Sequence, residues 1–203
     1  MATLFCVRHG ETDWNRERRW QGQDDQPLNA LGHEQSAVAA RALATDRFAA
    51  IYTSDLRRAR ETAHPLAMVL ELRPVVEQTL REVDTGSWTG LTHGEVSERH
   101  PEAMAAYSAG RDGWHDGESF SALFDRSLAA ASAIAARHAR NERVVVFTHG
   151  GVIRSLVAAA LGAGWEESRR HVAPAIHCGL TVIEIPQPPA AWRLHAFNHR
   201  LVG

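Results

Sequence analysis

Two short apolar runs in this 203-residue chain each stop on a histidine followed by glycine, and this constrains the fold more than any other feature. Thr3 to Val7 runs into Arg8-His9-Gly10-Glu11-Thr12, and Val144-Val145-Val146-Phe147-Thr148 runs into His149-Gly150-Gly151. Unbroken apolar and β-branched runs of this length read as strands buried on both faces, the kind found in parallel sheets covered by helices. Open α/β sheets bind ligands in the crevice beyond the carboxyl ends of their strands, so residues far apart in sequence are expected to meet there.

The stretches between those runs supply the helices. Leu31 to Leu43 carries apolar residues at helical spacing after the Pro27-Leu28-Asn29 turn, and Ala50 to Thr53 reads as a second strand. Ser54-Asp55 looks like a helix start, with the helix passing Arg58 and Thr62 until Pro65 kinks or interrupts it. Val75-Val76 is a weaker strand. Thr92-x-x-Glu95 fits a capping box for a short helix that Pro101 ends while starting the next. Phe120, Leu123, Phe124, Leu128, Ala131, Ile134 and Ala135 recur at intervals of three and four, which predicts a long amphipathic helix from about Ser119 to Arg140. Val152 to Leu161 is a further helix. Leu180 to Ile185 and Trp192 to Phe197 read as late strands joined by the turn-rich stretch 186–189. This alternation, without repeat or linker, predicts a single three-layer α/β/α domain over 1–203, with a mostly parallel central sheet and helices on both faces.

Composition narrows the function. A net charge of −2 and a pI near 6.6 offer no electrostatic footing for nucleic acid or an anionic membrane, so any bound anion must be held by a local arrangement. The chain contains no lysine; all 22 basic residues are arginine. Walker A nucleotide binding, pyridoxal phosphate and Schiff-base chemistry are thereby excluded. Cys6 and Cys178 form neither a disulfide framework nor a Cys-x-x-Cys metal motif, and both sit in apolar runs expected to be buried. No apolar stretch reaches bilayer length and no basic region precedes Arg8, which predicts a cytoplasmic protein without membrane contact.

Two imidazoles at strand exits, His9 and His149, together with Arg8, Arg58 and backbone amides at Gly10, Gly150 and the following helix N-terminus, are suited to a dianion, and a phosphoryl group is the obvious occupant. Phosphoryl transfer needs an in-line nucleophile, neutralisation of the equatorial oxygens and an acid for the leaving oxygen. Neutral His9 can attack phosphorus through one ring nitrogen if a backbone carbonyl near Gly10 holds the other. The product is a phosphohistidine that water can hydrolyse. Arg8, Arg58 and His149 then stabilise the transition state, and no metal or cofactor is called for. Glu82 is the best placed acid, with Glu11, Asp84 and Glu118 as rivals. Arg57 and Arg60 read as solvated or paired with Glu61. His195 and His199 stand four apart on a strand, where that spacing loses its meaning for a metal.

Arg8-His9-Gly10-Glu11-Thr12 with Trp14-Asn15, Leu56-Arg57-Arg58-Ala59-Arg60-Glu61-Thr62-Ala63, and Thr148-His149-Gly150-Gly151 resemble, in that order, the motifs of the histidine phosphatase superfamily. The resemblance implies that Arg8, His9, Arg58, His149 and Gly150 form a phosphate pocket and that Glu82 is the proton donor. It also implies that Asn15, Gln21 and Gly22 contact phosphate or substrate. Within that family, mutases carry a longer basic insertion after the acid, whereas the lid-like helical segment expected here at about 86–118 holds only Arg99 and Arg111. Thr85, Gln21 and Gly151 also stand where mutases differ. The implied activity is a metal-independent phosphomonoesterase acting on a small phosphorylated metabolite, with a cofactor-dependent phosphoglycerate mutase and a non-catalytic phospho-ligand binding protein as alternatives. Of Trp14, Trp20, Trp88 and Trp114, only Trp114 in the lid is expected at the substrate. An edge strand or helix face leaves room for a homodimer.

Overall fold

The computed structural model describes residues 2–111, 113–186 and 191–202. Strands β1 (Ala2–Arg8), β2 (Ala50–Thr53), β3 (Val75–Val76), β4 (Arg143–Thr148), β5 (Leu180–Ile185) and β6 (Arg193–His199) form one sheet in the order β3-β2-β4-β1-β5-β6. The first four run parallel, while β5 and β6 are antiparallel additions at one edge. The expected strands are all present; of the turn expected at 186–189, residues 187–189 lie outside the described residues.

Side-chain alternation on the two central strands explains the layers. Leu4, Cys6, Val144 and Val146 enter one apolar cluster, whereas Val7, Val145 and Phe147 enter the other. The first cluster includes Leu123 and Ile134 of α6 (Phe120–Ala136) and Ile153 and Leu156 of α7 (Gly150–Ala160). The second takes Ala40 and Leu43 of α2 (Ala30–Leu43) and Ala63 and Leu66 of α3 (Arg57–Leu70). Both faces of β1 and β4 are therefore dry, which is why neither sequence alternates polar with apolar. Cys6 and Cys178 are free and buried, and burial pushes each thiol up to about 12, leaving them unreactive.

Some local expectations need correcting. Ser54-Asp55 does not cap α3: the helix begins at Arg57, Ser54 Oγ accepts only from Leu56 N, and Asp55 is paired with Arg81. Nor does Pro65 interrupt that helix, which continues to Leu70 because Leu66 and Ala67, just beyond the proline, are buried and anchor the last turns. α6 stops at Ala136 rather than Arg140, and Asn141 turns the chain into β4 with a φ of 71°. The Thr92 capping box opens α4 (His93–Arg99), and Pro101 opens α5 (Pro101–Ser108) as expected. A short α1 (Asp13–Arg16) and α8 (Trp165–His171) were not anticipated. In α8 the signal was present: Glu166 and Glu167 in the first turn and Arg169, Arg170 and His171 in the last complement the helix dipole.

Candidate active site

β1 and β4 are neighbours, and pairing of Arg8 with Thr148 sets His9 and His149 side by side where both strands end. Their ring centroids lie 5.2 Å apart, and both residues are buried. His9 Nδ1 is 2.7 Å from Gly10 O. A carbonyl can only accept, so Nδ1 carries the proton and Nε2 keeps its lone pair. His149 makes no such commitment: neither of its ring nitrogens has a partner among the described residues, although both are buried. A buried imidazole without a partner is unusual, and it fits a group whose partner is a ligand oxygen.

Burial, and behind it the charges of Arg58 and Arg8, hold both imidazoles well below the ordinary histidine range, so both are neutral at physiological pH. His177 packs against His9 at 5.6 Å between ring centroids, with Nδ1 on His9 O, and is pushed down to about 4 by burial and then Arg8. All three bind a proton less readily folded than unfolded. Their stabilisation is therefore complete above about pH 6.5, the unfolded value, and is lost as pH falls through the folded values. Thermal unfolding from neutral pH to about pH 4.5 should show a steady loss of stability, with His177 alone contributing on the order of 2 kcal/mol by the acid end. His177→Gln should flatten that slope; an unchanged slope would show that His177 titrates alike in both states.

Arg58 comes from the first turn of α3 and is fully buried. Its Nη1 donates to Asp24 O at 2.6 Å and its Nη2 to Gly22 O at 2.8 Å, leaving Nε without a partner. Burial pulls it down to about 10, which still leaves it charged at neutral pH. Gly22 has to be glycine: its φ is +52°, and a Cβ there would meet Thr85 Oγ1 at 2.4 Å. Arg8 anchors Nη1 on Ala175 O at 2.6 Å, with Nε buried and unpartnered. Arg57 and Arg60 stay out of the site, Arg57 pairing with Glu61 across one helical turn. One expectation fails: the Gly10 amide is not free for a ligand, because Gly10 N donates to Thr62 Oγ1 at 2.9 Å, satisfying a buried donor.

Among the four rival carboxylates, only Glu82 lines the cavity shared by Arg8, His9 and Arg58. Glu11 bonds Asn29, Asp84 bonds Gly86 N, and Glu118 is paired with Arg126. The Glu82 carboxylate accepts from Gly151 N at 3.0 and 3.3 Å and from Val83 N at 3.0 Å. Arg126 of α6 fixes the backbone around it by donating to Thr79 O and Arg81 O, a role the sequence did not announce. A Cβ at Gly151 would lie 2.4 Å from Glu82 Oε1. Gly151→Ala should displace the carboxylate and lower kcat on alkyl phosphates roughly 10- to 100-fold with little change in folding, as steady-state kinetics beside a thermal melt will show.

Asn15, Gln21, Gly22, Gly150 and Trp114 also line this cavity, whose volume is about 270 Å³. Asn15 already uses Oδ1 to accept from Thr12 in the α1 capping box, so its free amide nitrogen is what remains for a ligand. Gln21 is buried with Oε1 unpartnered. Arg99 and Arg111 of the 86–118 segment do not reach the cavity; Tyr107 and Trp114 do. Trp20, expected away from the substrate, lines it too, as do Arg154, Trp165 and Arg169, which were missed. Arg154 had a sequence signal, standing one helical turn beyond Gly150 on the same face. A larger cavity of about 580 Å³, lined by Leu31, Val38, Ile176 and Leu201 among others, contains none of His9, Arg8, Arg58 and Glu82.

Residues 4–199 match the model of the histidine phosphatase superfamily, branch 1. The chain is 43% identical over 160 residues to phosphoglycerate mutase-like protein 4 of Arabidopsis thaliana, covering 76% of this chain and 69% of that protein. It is 43% identical over 161 residues to metal-independent phosphoserine phosphatase of the same plant, covering 77% and 67%. Among solved structures, a mycobacterial glucosyl-3-phosphoglycerate phosphatase complexed with VO3 superposes with a TM-score of 0.87 at 32% identity, over 97% of this chain and 99% of that one.

Proposed function

This chain belongs to the histidine phosphatase superfamily, and from that premise we propose that it is a metal-independent phosphomonoesterase that cleaves a small phosphorylated metabolite through a phosphohistidine on His9. The observation that carries the reading is the pose of His9: Nδ1 held on Gly10 O, Nε2 free, and the neutral ring beside His149, Arg8 and Arg58. Nε2 attacks phosphorus as the bond to the leaving oxygen breaks, and Glu82 gives that oxygen its proton. Arg8 and Arg58 neutralise the equatorial oxygens, and the neutral His149 ring donates a hydrogen bond to one of them. In the second half, Glu82 takes a proton from water as the water oxygen attacks phosphorus. Inorganic phosphate leaves and neutral His9 is restored.

Arginine charge performs the neutralisation that a divalent metal performs in other phosphatases, and a relative named as metal-independent supports this. Release of phosphate from an aryl phosphate should therefore proceed undiminished in excess chelator. Loss of turnover in chelator, restored by magnesium, would sink the scheme. Isomerisation of 3-phosphoglycerate dependent on a bisphosphate primer, without phosphate release, would make the protein a mutase instead. A 270 Å³ cavity suits a small metabolite, since drug-sized ligands occupy about 300 Å³ or more.

A further inference from the structure

The carbonyl that holds His9 is itself held from behind. Gly10 O, which accepts from His9 Nδ1 at 2.7 Å, belongs to the same peptide group as Glu11 N, and Glu11 N donates to Gln35 Oε1 at 2.9 Å. A backbone N–H only donates, so it is the side-chain oxygen of Gln35 that faces this peptide. Gln35 stands in the second turn of α2, and the first turn packs on the same backbone: a Cβ at Gly32 would collide with Glu11 O. Asn29, the N-cap of α2, fixes the approach, its N donating to Glu11 O at 3.0 Å and its Oδ1 accepting from Gly32 N at 2.8 Å. One continuous series of bonds therefore runs from Gln35 Oε1 through the Gly10–Glu11 peptide and the His9 ring to Nε2.

Each bond in such a series polarises the next. A peptide whose N–H is bonded carries more negative charge on its oxygen, and the bond that oxygen accepts is strengthened by about 10–30%. That matters most when the donor is charged. As Nε2 bonds to phosphorus and the phosphorus–oxygen bond to the leaving group breaks, the ring gives up electron density and, with Nδ1 still protonated, becomes cationic. When water displaces it, the phosphorus–nitrogen electron pair returns to Nε2 and the ring is neutral again. The bond from Nδ1 to Gly10 O is thus strongest in the phosphoenzyme, since charged donors make the stronger hydrogen bonds. Arg58 and Arg8 disfavour positive charge on this ring, and no carboxylate accepts from Nδ1, so the polarised carbonyl provides the compensation. Gln35 lines the cavity of about 580 Å³ and not the one that holds His9, so it reaches the reaction only through this peptide. The preceding peptide is braced independently, Gly10 N donating to Thr62 Oγ1 and His9 O accepting from His177.

Resting on the phosphatase reading above, we propose that Gln35 is a positioning residue for the nucleophile: through the Gly10–Glu11 peptide it sets how readily His9 Nε2 attacks phosphorus and how readily phosphorus leaves it. The two halves of the cycle respond in opposite senses. A weaker acceptor behind Gly10 O makes Nε2 the poorer nucleophile, because less is gained as charge develops on the ring. The same change makes the ring the better leaving group, because its charge in the phosphoenzyme is less stabilised. A side chain that only braced the turn would, on removal, slow both halves alike.

Rapid-quench measurements with a radiolabelled aryl phosphate separate the halves: one follows label arriving on His9, the other follows its loss during a chase with unlabelled ester. Gln35→Met keeps the length of the side chain and removes the acceptor. It should slow labelling roughly 10-fold and speed the loss of label roughly 3-fold. Gln35→Glu places a stronger acceptor on a half-buried position at the edge of the larger cavity, and should label at least as fast as the parent and lose label more slowly. The methionine variant leaves Glu11 N without its partner, so a thermal melt accompanies both. The Nδ1 proton resonance of His9 gives a readout that needs no turnover: a stronger hydrogen bond deshields its proton, so the resonance should move upfield in Gln35→Met and downfield in Gln35→Glu. Equal slowing of both halves in Gln35→Met, or an unmoved resonance in both variants, would overturn the role of Gln35 while leaving the phosphatase reading intact. A parent that places no label on His9 counts against the phosphatase reading itself, and the resonance alone then decides whether Gln35 acts on the ring.

Discussion

Replacing His9 with alanine is expected to reduce phosphate release by at least ~10³-fold on every substrate, because it removes the atom that bonds to phosphorus rather than a group that stabilises charge around it. The structure explains why no neighbour substitutes. His149 is 5.2 Å away by ring centroid, and no carbonyl orients either of its nitrogens. His177 is engaged with the backbone of His9. Glu82 is turned onto the amides of Gly151 and Val83. The fold should survive, since the His9 side chain bonds only its neighbouring carbonyl at Gly10. Rapid quenching of the parent with radiolabelled ester should trap an acid-labile phosphoenzyme, and the His9→Ala protein should trap none. His149→Ala serves as the contrast: it should slow both half-reactions yet still accumulate label, because its nucleophile remains. Equal labelling of the His9→Ala protein would place the nucleophile elsewhere.

Why that site could be read in part from sequence, and where reading stopped, follows from the physics of each residue. His9 and His149 were legible because strands buried on both faces give continuous apolar runs, and a polar residue closing such a run must sit at the sheet's edge. Arg58 was legible through its motif; its burial and its bonds to Gly22 and Asp24 carbonyls depend on how 21–25 folds over α3. Pro65 misled because local backbone chemistry argues for a break, whereas burial of Leu66 and Ala67 outweighs one lost hydrogen bond. The Gly10 amide misled for the converse reason, since its acceptor, Thr62, is 52 positions away in the sequence. Arg154 and Arg169 converge only because α7 and α8 pack together, with the Arg154 guanidinium bonded to carbonyls at the end of α8.

Glu82→Gln should separate substrates by the chemistry of their leaving groups. An alkoxide is a poor leaving group and needs a proton as its bond to phosphorus breaks, whereas a nitrophenolate leaves unaided. Loss of the acid should therefore cost about 10²- to 10⁴-fold on alkyl phosphates and far less on the first step with an activated aryl phosphate. The amide is nearly isosteric and its oxygen can still accept from Gly151 N, so the loop that Arg126 holds to α6 should stay in place. Water must still be activated to hydrolyse the phosphohistidine, and Glu82 is the only carboxylate lining the cavity among the described residues. With the aryl ester the variant should thus show a burst of about one phenolate per enzyme, followed by a slow steady rate, and labelled phosphoenzyme should accumulate. Equal losses on both ester types, with no burst, would mean that Glu82 organises the Gly151 turn rather than moving a proton.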